Sequence, residues 1–296
     1  MDTQECKLCP RGCGVDRRRV RGFCGTPDRI KIARASLHQW EEPSISGTNG
    51  SGAIFFSGCT LRCCFCQNYE ISAEGFGQEV SAEELCEIML RLQAQGAHNI
   101  NFVTPTHYAD KIVQALERIR GGRLIIPTVY NSSGYETAET LAMLNGYIDV
   151  YLPDLKYMSP ALSARYSSAE DYFLFASSAI TLMQQQTGAP AFDQNGLLKK
   201  GTVIRHMVLP GVYRDSLRLL DWIAENFNNG DVLLSLMCQY TPQYHSARFP
   251  ELDRRVTTYE YRKVVERAAQ LGLQGYMQER EAASAAYIPD FDLSGL

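Results

Sequence analysis

Cys59, Cys63, Cys64 and Cys66 fall within one short run, GCTLRCCFCQN at residues 58–68. These clustered thiols constrain the chain more than any other feature, because the loop must fold around whatever they hold. The spacing favours a cubane iron–sulfur cluster, in which three thiolates ligate three irons and the fourth iron stays open to a small ligand. A zinc ion with Cys64 as its fourth ligand, a disulfide, and a set of buried free cysteines are the alternatives.

The cellular compartment bears on these alternatives. The first residues, MDTQECKLCPRGC, lack the apolar segment of a signal peptide, and no apolar run reaches the roughly 18 residues that span a bilayer. We therefore expect a soluble, cytoplasmic protein without membrane contacts, in which clustered cysteines bind metal or do catalysis rather than form disulfides. The formal net charge of -4 argues against a protein that binds mainly nucleic-acid phosphates.

A second cysteine group, with the spacing C-x2-C-x3-C-x10-C, consists of Cys6, Cys9, Cys13 and Cys24. The segment is too short to build a hydrophobic core of its own, so metal binding would supply its folding free energy. Four thiolates suit a closed tetrahedral zinc site, and they also suit an auxiliary iron–sulfur cluster in an enzyme that imports electrons. We predict a metal-binding module and linker over residues 1–50, with zinc and a second cluster as the two candidates.

From residue 52 onwards, apolar runs that favour strands alternate with amphipathic stretches that favour helices. This alternation is typical of a parallel α/β sheet. At least six strand–helix units predict a partial (β/α)6 barrel over residues 51–296, with LQGYMQE at 273–279 as a possible closing strand. The turn signal Asn195-Gly196 predicts a hairpin insertion near residues 187–200. An open doubly wound sheet is the structural alternative.

The motif C-x3-C-x-aromatic-C, formed by Cys59, Cys63, Phe65 and Cys66, is the signature of radical S-adenosylmethionine (radical SAM) enzymes. The run GCTLRCCFCQN resembles the activating enzymes of glycyl radical proteins, the pyruvate formate-lyase activating enzyme family. The stretches CKLCPRGCGVDR and NINFVTPTHY resemble its PflX-like branch, and the similarity spans nearly the full chain. The resemblance implies a partial barrel of the radical SAM type and an oxygen-sensitive [4Fe-4S] cluster on the three cysteines, with S-adenosylmethionine (SAM) bound at its open iron.

The resemblance also implies a set of cofactor-binding residues at the strand ends. The backbone near Phe65 would lie against the adenine of SAM. The Gly-Gly-Glu of the family, which receives the amino group of SAM, is replaced here by the run 103–107, VTPTH, in which Thr104, Thr106 or backbone carbonyls are the candidate substitutes. Asp154 and Lys156 match the Asp-x-Lys of the family and, two residues apart, face the same side of a strand. Lys156 would pair with the carboxylate of SAM, and an ordinary salt bridge at the strand end is the alternative. The full set is Phe65, Thr104, Asn131, Ser132, Asp154, Lys156 and Arg205.

Four further residues near the strand ends are weighed between function and packing. His107 lies just past a strand end, where it faces either the site or solvent. His206 adjoins Arg205 and would face the opposite side of its strand, which indicates a packed core histidine. Cys238 and Tyr240 end the sixth strand, and either substrate contact or simple packing fits them.

The function implied by the resemblance is reductive cleavage of SAM to methionine and a 5′-deoxyadenosyl radical, which removes a hydrogen atom from the substrate. The substrate would be a backbone glycine of a partner protein, and a donor such as flavodoxin or ferredoxin would deliver the electron. A peptide side chain or a small metabolite is the alternative substrate. A non-catalytic iron–sulfur electron carrier or a zinc-dependent binding protein is the alternative of another class, although the large α/β body argues against it.

Overall fold

The computed structural model describes residues 5–119, 121–278 and 289–296, and in this part of the chain the strands form one ten-stranded sheet. The strands are β1 (Ile30–His38), β2 (Ser51–Phe56), β3 (Gln78–Val80), β4 (Ile100–Val103), β5 (Thr128–Ser132), β6 (Val150–Pro153), β7 (Ala191–Phe192), β8 (Leu198–Met207), β9 (Leu233–Met237) and β10 (Gly275–Met277). The helices are α1 (Pro43–Ser46), α2 (Tyr69–Ser72), α3 (Ala82–Ala94), α4 (Ala109–Ile119), α5 (Ala138–Leu144), α6 (Pro160–Ser167), α7 (Tyr172–Thr187), α8 (Tyr213–Asn226) and α9 (Thr258–Gln270), with single 3₁₀ turns at Thr106–Tyr108 and Ser246–Arg248.

The sheet is parallel over most of its width and partly open. Its order is β10-β9-β8-β6-β5-β4-β2-β1-β3, and β7 pairs with β8 at one side. β2, β4, β5, β6, β8, β9 and β10 run parallel, whereas β1 is antiparallel to both β2 and β3. The predicted α/β fold with a partly closed parallel sheet is confirmed. β10 lies in the segment that was predicted to close the sheet, and it makes a seventh parallel strand.

Local sequence explains why the helices begin where they do. The side chain of Ser81 accepts a hydrogen bond from the backbone of Glu84, and the carboxylate of Glu84 accepts one from the backbone of Ser81. This capping box satisfies two amide groups that the first turn of α3 would otherwise leave unpaired. α9 begins with the same arrangement at Thr257 and Glu260. Behind these starts, apolar residues at helical spacing pack onto the outer face of the sheet, as Leu85, Ile88, Met89 and Leu92 do in α3.

β1 joins the first fifty residues to the sheet. It pairs with β2 from Ile32↔Phe56 to His38↔Ser51, and with β3 through Ile30↔Val80. The segment predicted as a separate module and linker therefore contributes a strand to the main sheet. The charged side chains of β1, such as Arg34, mask its two-residue periodicity, and pairing with β2 provides the context that the sequence pattern lacks.

The run PSISGTNGSG, at residues 43–52, also packs against the sheet. α1 carries Ile45, which is 0% exposed and packs among Val129, Val150, Leu152, Leu198, Val203 and Leu233 from β5, β6, β8 and β9. Because side chains alternate along a strand, the next inward positions of β5 and β8 after this apolar layer are Asn131 and Arg205. α1 thus plugs one end of the sheet interior and leaves a polar layer above it.

A hairpin lies between α7 and the main part of β8. Ala191 pairs with Lys200 and Phe192 with Leu198, around a turn in which Gly196 has a φ of 76°. A left-handed backbone conformation at this position of a turn favours glycine. None of the helices in the described ranges combines the length and the apolarity needed to cross a bilayer.

Truncation of the plug should destabilise the protein. Ile45→Ala removes buried methyl groups and leaves a cavity that the surrounding strands cannot collapse to fill, so the free energy of unfolding should fall by about 2–5 kcal/mol. Leu174→Ala on α7, where the side chain is 68% exposed, is the matched control and should stay within about 0.5 kcal/mol of wild type. Urea unfolding measures both. Equal stability of the two variants would show that Ile45 is not a packed plug.

Candidate active site

A cavity of about 680 Å³ opens where the parallel strands end. It is lined by residues that follow or end β2, β4, β5, β6 and β8, which is where α/β enzymes place their chemistry. The ten residues predicted from the cysteine loop at residues 58–68 and from the strand ends all line it: Cys59, Cys63, Phe65, Cys66, Thr104, Asn131, Ser132, Asp154, Lys156 and Arg205. The four N-terminal cysteines lie outside it.

The cysteine loop is held in place by backbone hydrogen bonds to the last turn of α6 and to the segment after β9. The amide of Cys64 donates to the carbonyl of Tyr166 at 2.8 Å, and the carbonyl of Cys64 accepts from the amide of His245 at 2.8 Å. Cys63 and Cys66 are linked by an amide–carbonyl bond of 3.2 Å, which forms a tight turn. The loop therefore presents its thiols from a fixed backbone rather than from a free surface segment.

Each of the three spaced thiols has a hydrogen-bonding partner at its sulfur. The amide of Leu61 donates to Cys59 Sγ at 3.4 Å, and Ser167 Oγ donates to Cys63 Sγ at 3.0 Å. Ser72 Oγ lies 3.1 Å from Cys66 Sγ. Donors of this kind stabilise a thiolate that ligates a metal. The arrangement suits metal-bound sulfur at Cys59, Cys63 and Cys66.

The pKa values of these thiols also favour metal-bound sulfur. Burial raises the pKa of Cys59 and Cys63, and it raises the pKa of Cys66 to about 11. A buried thiol in this setting keeps its proton unless a positive charge is supplied, and a bound metal ion supplies it and deprotonates the thiol outright. Cys64 does not line the main cavity. It lines a second cavity of about 220 Å³, which the three spaced cysteines also line, together with Arg62, Arg165 and Arg248.

In the described ranges, no three Cys, His, Asp or Glu side chains converge where a single metal ion would sit. A cubane cluster places each cysteine on a different iron, so its ligands are spread more widely than those of one ion. The expected metal site at Cys6, Cys9, Cys13 and Cys24 is not shown. Burial raises the pKa of Cys9 to about 12, and Cys6 and Cys24 lie close enough to contribute.

Three charged residues form a network of ion pairs on the wall of the main cavity. Asp154 binds Lys156 Nζ with one carboxylate oxygen at 2.5 Å and the guanidinium of Arg205 with the other at 3.1 Å. A parallel bridge between the backbones of Asp154 and Arg205 holds the two strands in this register. Burial alone would raise the pKa of Asp154, but Lys156 and Arg205 together hold that pKa below its usual value. Burial likewise opposes the charge on Lys156, and Asp154 and Cys63 outweigh it and raise the pKa of Lys156.

Arg205 continues the network to residues that sequence reasoning missed. Its guanidinium donates to Asn131 Oδ1 at 2.7 Å and to Glu41 at 3.3 Å. Glu41 also accepts from Asn101 at 3.0 Å and from Asn131 at 3.2 Å, and Glu42 lines the same cavity. In the sequence, only the adjacency of two glutamates after β1 could have indicated that Glu41 and Glu42 have a role in the site.

The loop after β4 has a strained backbone at the position that replaces the Gly-Gly-Glu of the resembling family. Thr104 has a φ of 59°, a conformation that L-residues other than glycine rarely adopt. Its amide donates to the carbonyl of Asn131 at 2.9 Å, which holds the strain in place. Strain of this kind collects at functional sites.

Glu136 lies behind this loop and was also missed. It is 1% exposed and accepts hydrogen bonds from Thr106 Oγ1 at 2.7 Å and from Tyr130 at 3.3 Å. Burial raises the pKa of Glu136 to about 7 although these hydrogen bonds and that of Ser132 oppose the shift. Its burial could not be predicted from the sequence, because Glu136 is an isolated acidic residue in a polar loop.

The four residues weighed between function and packing lie outside the cavity. His107 is buried, pairs with the carbonyl of Ser57 at 2.7 Å, and has a pKa that burial lowers to about 3. His206 pairs with the carbonyl of Leu155 at 2.6 Å on the far side of its strand. Cys238 is buried in the same apolar core as Tyr240, whose hydroxyl donates to the carbonyl of Leu252 at 2.7 Å.

Comparison with known proteins identifies relatives of this arrangement. A family model described as the radical SAM superfamily matches residues 53–223. The uncharacterized protein MJ0674 of Methanocaldococcus jannaschii is 31% identical over 286 residues, which are 91% of this chain and 76% of that protein.

Two solved structures are similar in fold. One is SuiB of Streptococcus suis bound to its precursor peptide SuiA, with a TM-score of 0.51 and 14% identity over 75% of this chain and 46% of the SuiB chain. The other is a radical SAM methyltransferase from Sphaerobacter thermophilus, with a TM-score of 0.51 and 11% identity over 77% of this chain and 66% of that chain. This chain spans about half the length of SuiB. At such low identity, these TM-scores establish a common fold and nothing more specific.

The buried acid Glu136 generates a pH-dependent prediction. Between about pH 4.5 and pH 7 the folded state keeps the proton that the unfolded state releases, so this group lowers stability as the pH rises. Glu136→Gln removes the effect. Its free energy of unfolding relative to wild type should therefore rise by about 3 kcal/mol between pH 4 and pH 7.5, at about 1.4 kcal/mol per pKa unit. Urea unfolding at a series of pH values measures this, with the exposed Glu139→Gln on α5 as control. A parallel pH response in both variants would contradict the burial of Glu136.

Proposed function

Because this chain belongs to the radical SAM superfamily, we propose that Cys59, Cys63 and Cys66 ligate a [4Fe-4S] cluster and that the adjoining cavity binds SAM. The observation that carries the proposal is that three thiols, each with a hydrogen-bonding partner at its sulfur, face one cavity together with Asp154 and Lys156. The cluster and SAM would supply reductive cleavage of the sulfonium bond and a 5′-deoxyadenosyl radical that removes hydrogen from a substrate.

The residues of the cavity have distinct roles in this proposal. Lys156 binds the carboxylate of SAM, and Asp154 holds the ammonium group of Lys156 in position. Asn131, Ser132 and the loop at Thr104 hold the polar parts of SAM, and Phe65 packs beside it. Arg205 acts through Asp154 and Asn131, because its own donors are taken by these two residues and by Glu41.

The substrate in this proposal is a backbone glycine of a partner protein, in keeping with the resemblance of GCTLRCCFCQN to the activating enzymes. A second candidate is a peptide side chain or a small metabolite. It is favoured by the strained VTPTH loop, which departs from the Gly-Gly-Glu of those enzymes, and by the likeness in fold to SuiB, whose structure contains a precursor peptide. A non-catalytic electron carrier remains the alternative of another class.

The N-terminal cysteines Cys6, Cys9, Cys13 and Cys24 are proposed to hold a zinc ion or an auxiliary cluster. Support comes from the packing of their segment on the cluster loop. Arg11 lies 3.8 Å from the ring centre of Phe23 and donates to the carbonyls of Thr60 at 2.9 Å and Ser168 at 2.5 Å. A metal there would stabilise the segment that backs the loop.

The electron donor is proposed to be an acidic carrier such as a flavodoxin or ferredoxin. The second cavity supports this, because it reaches the cysteine loop from outside and carries Arg62, Arg165 and Arg248. A basic surface of this kind steers an acidic partner towards the loop. A reduced cluster near such an entrance would also react with oxygen, so the protein is to be handled anaerobically.

Substitution of the cysteines tests the ligand set. After anaerobic reconstitution, Cys63→Ala should lose the cluster of about four irons, because one of three ligands is removed. Cys64→Ala is the matched control and should keep the cluster, since Cys64 does not line the main cavity. Iron and zinc analysis with absorption spectra of both variants measures the outcome, and the zinc content reports on the N-terminal site. Iron retention in Cys63→Ala would contradict the ligand assignment.

Removal of the Lys156 ammonium group tests the cavity as a SAM site. A charge-assisted bond to the SAM carboxylate is worth roughly 1.5–3 kcal/mol, so Lys156→Ala should weaken SAM binding about tenfold to a hundredfold. Lys263→Ala on α9, a half-buried lysine that does not line the cavity, should leave it unchanged. Calorimetric titration measures the affinities, and production of 5′-deoxyadenosine by reduced wild type separates an enzyme from an electron carrier. Unchanged affinity in Lys156→Ala would remove this residue from the site.

A further inference from the structure

Cys63 receives a different hydrogen bond from the other two spaced cysteines. The donor to Cys59 Sγ is a backbone amide at 3.4 Å. The partner of Cys66 Sγ is Ser72 Oγ, and Ser72 also lines the main cavity, so water can compete for its proton. Cys63 Sγ accepts from Ser167 Oγ at 3.0 Å, and Ser167 is 0% exposed. Of the three thiols, Cys63 is thus the one whose hydroxyl donor is shielded from solvent.

A second hydroxyl lies behind that of Ser167. Tyr157 Oη is 2.9 Å from Ser167 Oγ, and Tyr157 is 1% exposed. The ring of Tyr157 packs edge-on against Tyr172, with 5.7 Å between ring centres, and against Tyr166 at 6.3 Å, which fixes the position of its hydroxyl. In the described part of the chain, Ser167 Oγ is the one hydrogen-bonding partner of this hydroxyl. The two hydroxyls form a buried row that ends at Cys63 Sγ.

The direction of these two hydrogen bonds follows from a count of protons. A serine hydroxyl and a tyrosine hydroxyl each have one proton to donate. Burial raises the pKa of Tyr157, so its hydroxyl keeps that proton. If Ser167 donated to Tyr157, the tyrosine proton would be buried without an acceptor, which is costly. A metal-bound Cys63 sulfur has no proton and can only accept. The chain of donors therefore runs from Tyr157 to Ser167 to Cys63.

The backbone of Ser167 is held by the cysteine loop and by the N-terminal segment. Its carbonyl accepts from the amide of Arg62 at 3.3 Å and from the guanidinium of Arg11 at 3.4 Å. Ser168, which follows it, has a left-handed φ of 53° and ends α6 at this point. A donor fixed in this way keeps its place beside Cys63 Sγ without reorganisation when the charge on the sulfur changes.

We propose that Tyr157 and Ser167 form a donor chain that raises the reduction potential of the cluster through Cys63, and that both are positioning residues for electron uptake. The chain rests on the proposed function for the presence of the cluster. Reduction adds one electron from the reduced carrier, so a hydrogen bond to Cys63 Sγ stabilises the more negative reduced state more than the oxidised state. The hydroxyl of Tyr157 polarises that of Ser167 and strengthens this bond, and no proton moves along the chain.

Redox titration of the anaerobically reconstituted protein without SAM, followed by electron paramagnetic resonance of the reduced cluster, tests the proposal. Ser167→Ala should make the equilibrium constant for one-electron reduction about tenfold smaller, a fall of about 59 mV in the midpoint potential. Tyr157→Phe removes only the second hydroxyl and should lower the potential by a smaller amount. Ser163→Ala on α6 and Tyr151→Phe on β6 are the matched controls and should keep the wild-type potential, because each removes a buried hydroxyl that hydrogen-bonds elsewhere. An unchanged potential in a cluster-bearing Ser167→Ala would overturn the proposal.

A double variant separates a chain from two independent effects. Because Tyr157 acts through Ser167, the variant that combines Ser167→Ala with Tyr157→Phe should have the same potential as Ser167→Ala alone. Additive shifts would show that the two hydroxyls act separately, and they would overturn the chain. If Ser167→Ala does not assemble the cluster, Tyr157→Phe decides the question, since it leaves the direct donor to Cys63 in place. A lowered potential in Tyr157→Phe then supports the proposal, and the wild-type potential overturns it.

The same measurements distinguish failure of the chain from failure of the proposed function. Graded potentials in a cluster-bearing protein that makes no 5′-deoxyadenosine would leave the donor chain in place and contradict the proposed enzyme. Production of 5′-deoxyadenosine, with equal potentials in wild type, Ser167→Ala and Tyr157→Phe, would contradict the chain alone. A wild-type protein that assembles no cluster would contradict both.

Discussion

A buried guanidinium ties together parts of the chain that lie far apart in the sequence. Arg205 on β8 binds Asp154 after β6, Asn131 on β5 and Glu41 after β1. Lys156 and Arg205 together hold the pKa of Asp154 below its usual value in the interior of the sheet, whereas burial raises the pKa of Glu41 although Arg205 opposes that shift. The network closes the floor of the cavity above the apolar plug of α1 and fixes the register of the strands whose ends form the wall. The position of Lys156 depends on it, because Asp154 serves both cations.

The cysteine loop and the wall of the cavity could be predicted from sequence for a physical reason. Residues at the carboxyl ends of consecutive parallel strands meet at one edge of the sheet, so Thr104, Asn131, Asp154 and Arg205 come together once the strand order is correct. The motif then marks which end carries the chemistry. Alternation along β8 likewise separates Arg205, which faces the cavity, from His206, which faces the helices.

The buried positions of Glu41, Glu42 and Glu136 could not be predicted, because the sequence around them shows no hydrophobic periodicity. Glu41 and Glu42 lie in a segment rich in small and polar residues that resembles a linker, and only the closed sheet places that segment beneath β5 and β8. Burial of Glu136 likewise follows from the approach of Thr106, in the 3₁₀ turn after β4, and Tyr130 on β5. The domain boundary predicted at residue 50 has the same physical origin. β1 becomes a strand through its pairing with β2, and the sequence of β1 alone does not show that pairing.

The N-terminal segment and the cysteine loop form one packed unit. Gly58, at the start of the loop, has a φ of 87°, and a Cβ atom there would lie 2.2 Å from Thr26 and 2.8 Å from the carbonyl of Cys24. Only glycine lets the two backbones approach this closely. Arg17 completes the contact by donating to Thr26 at 3.1 Å and to the carbonyl of His107 beyond β4. Because the two cysteine groups share this packing, a metal bound at either one would stabilise the backbone that presents the other.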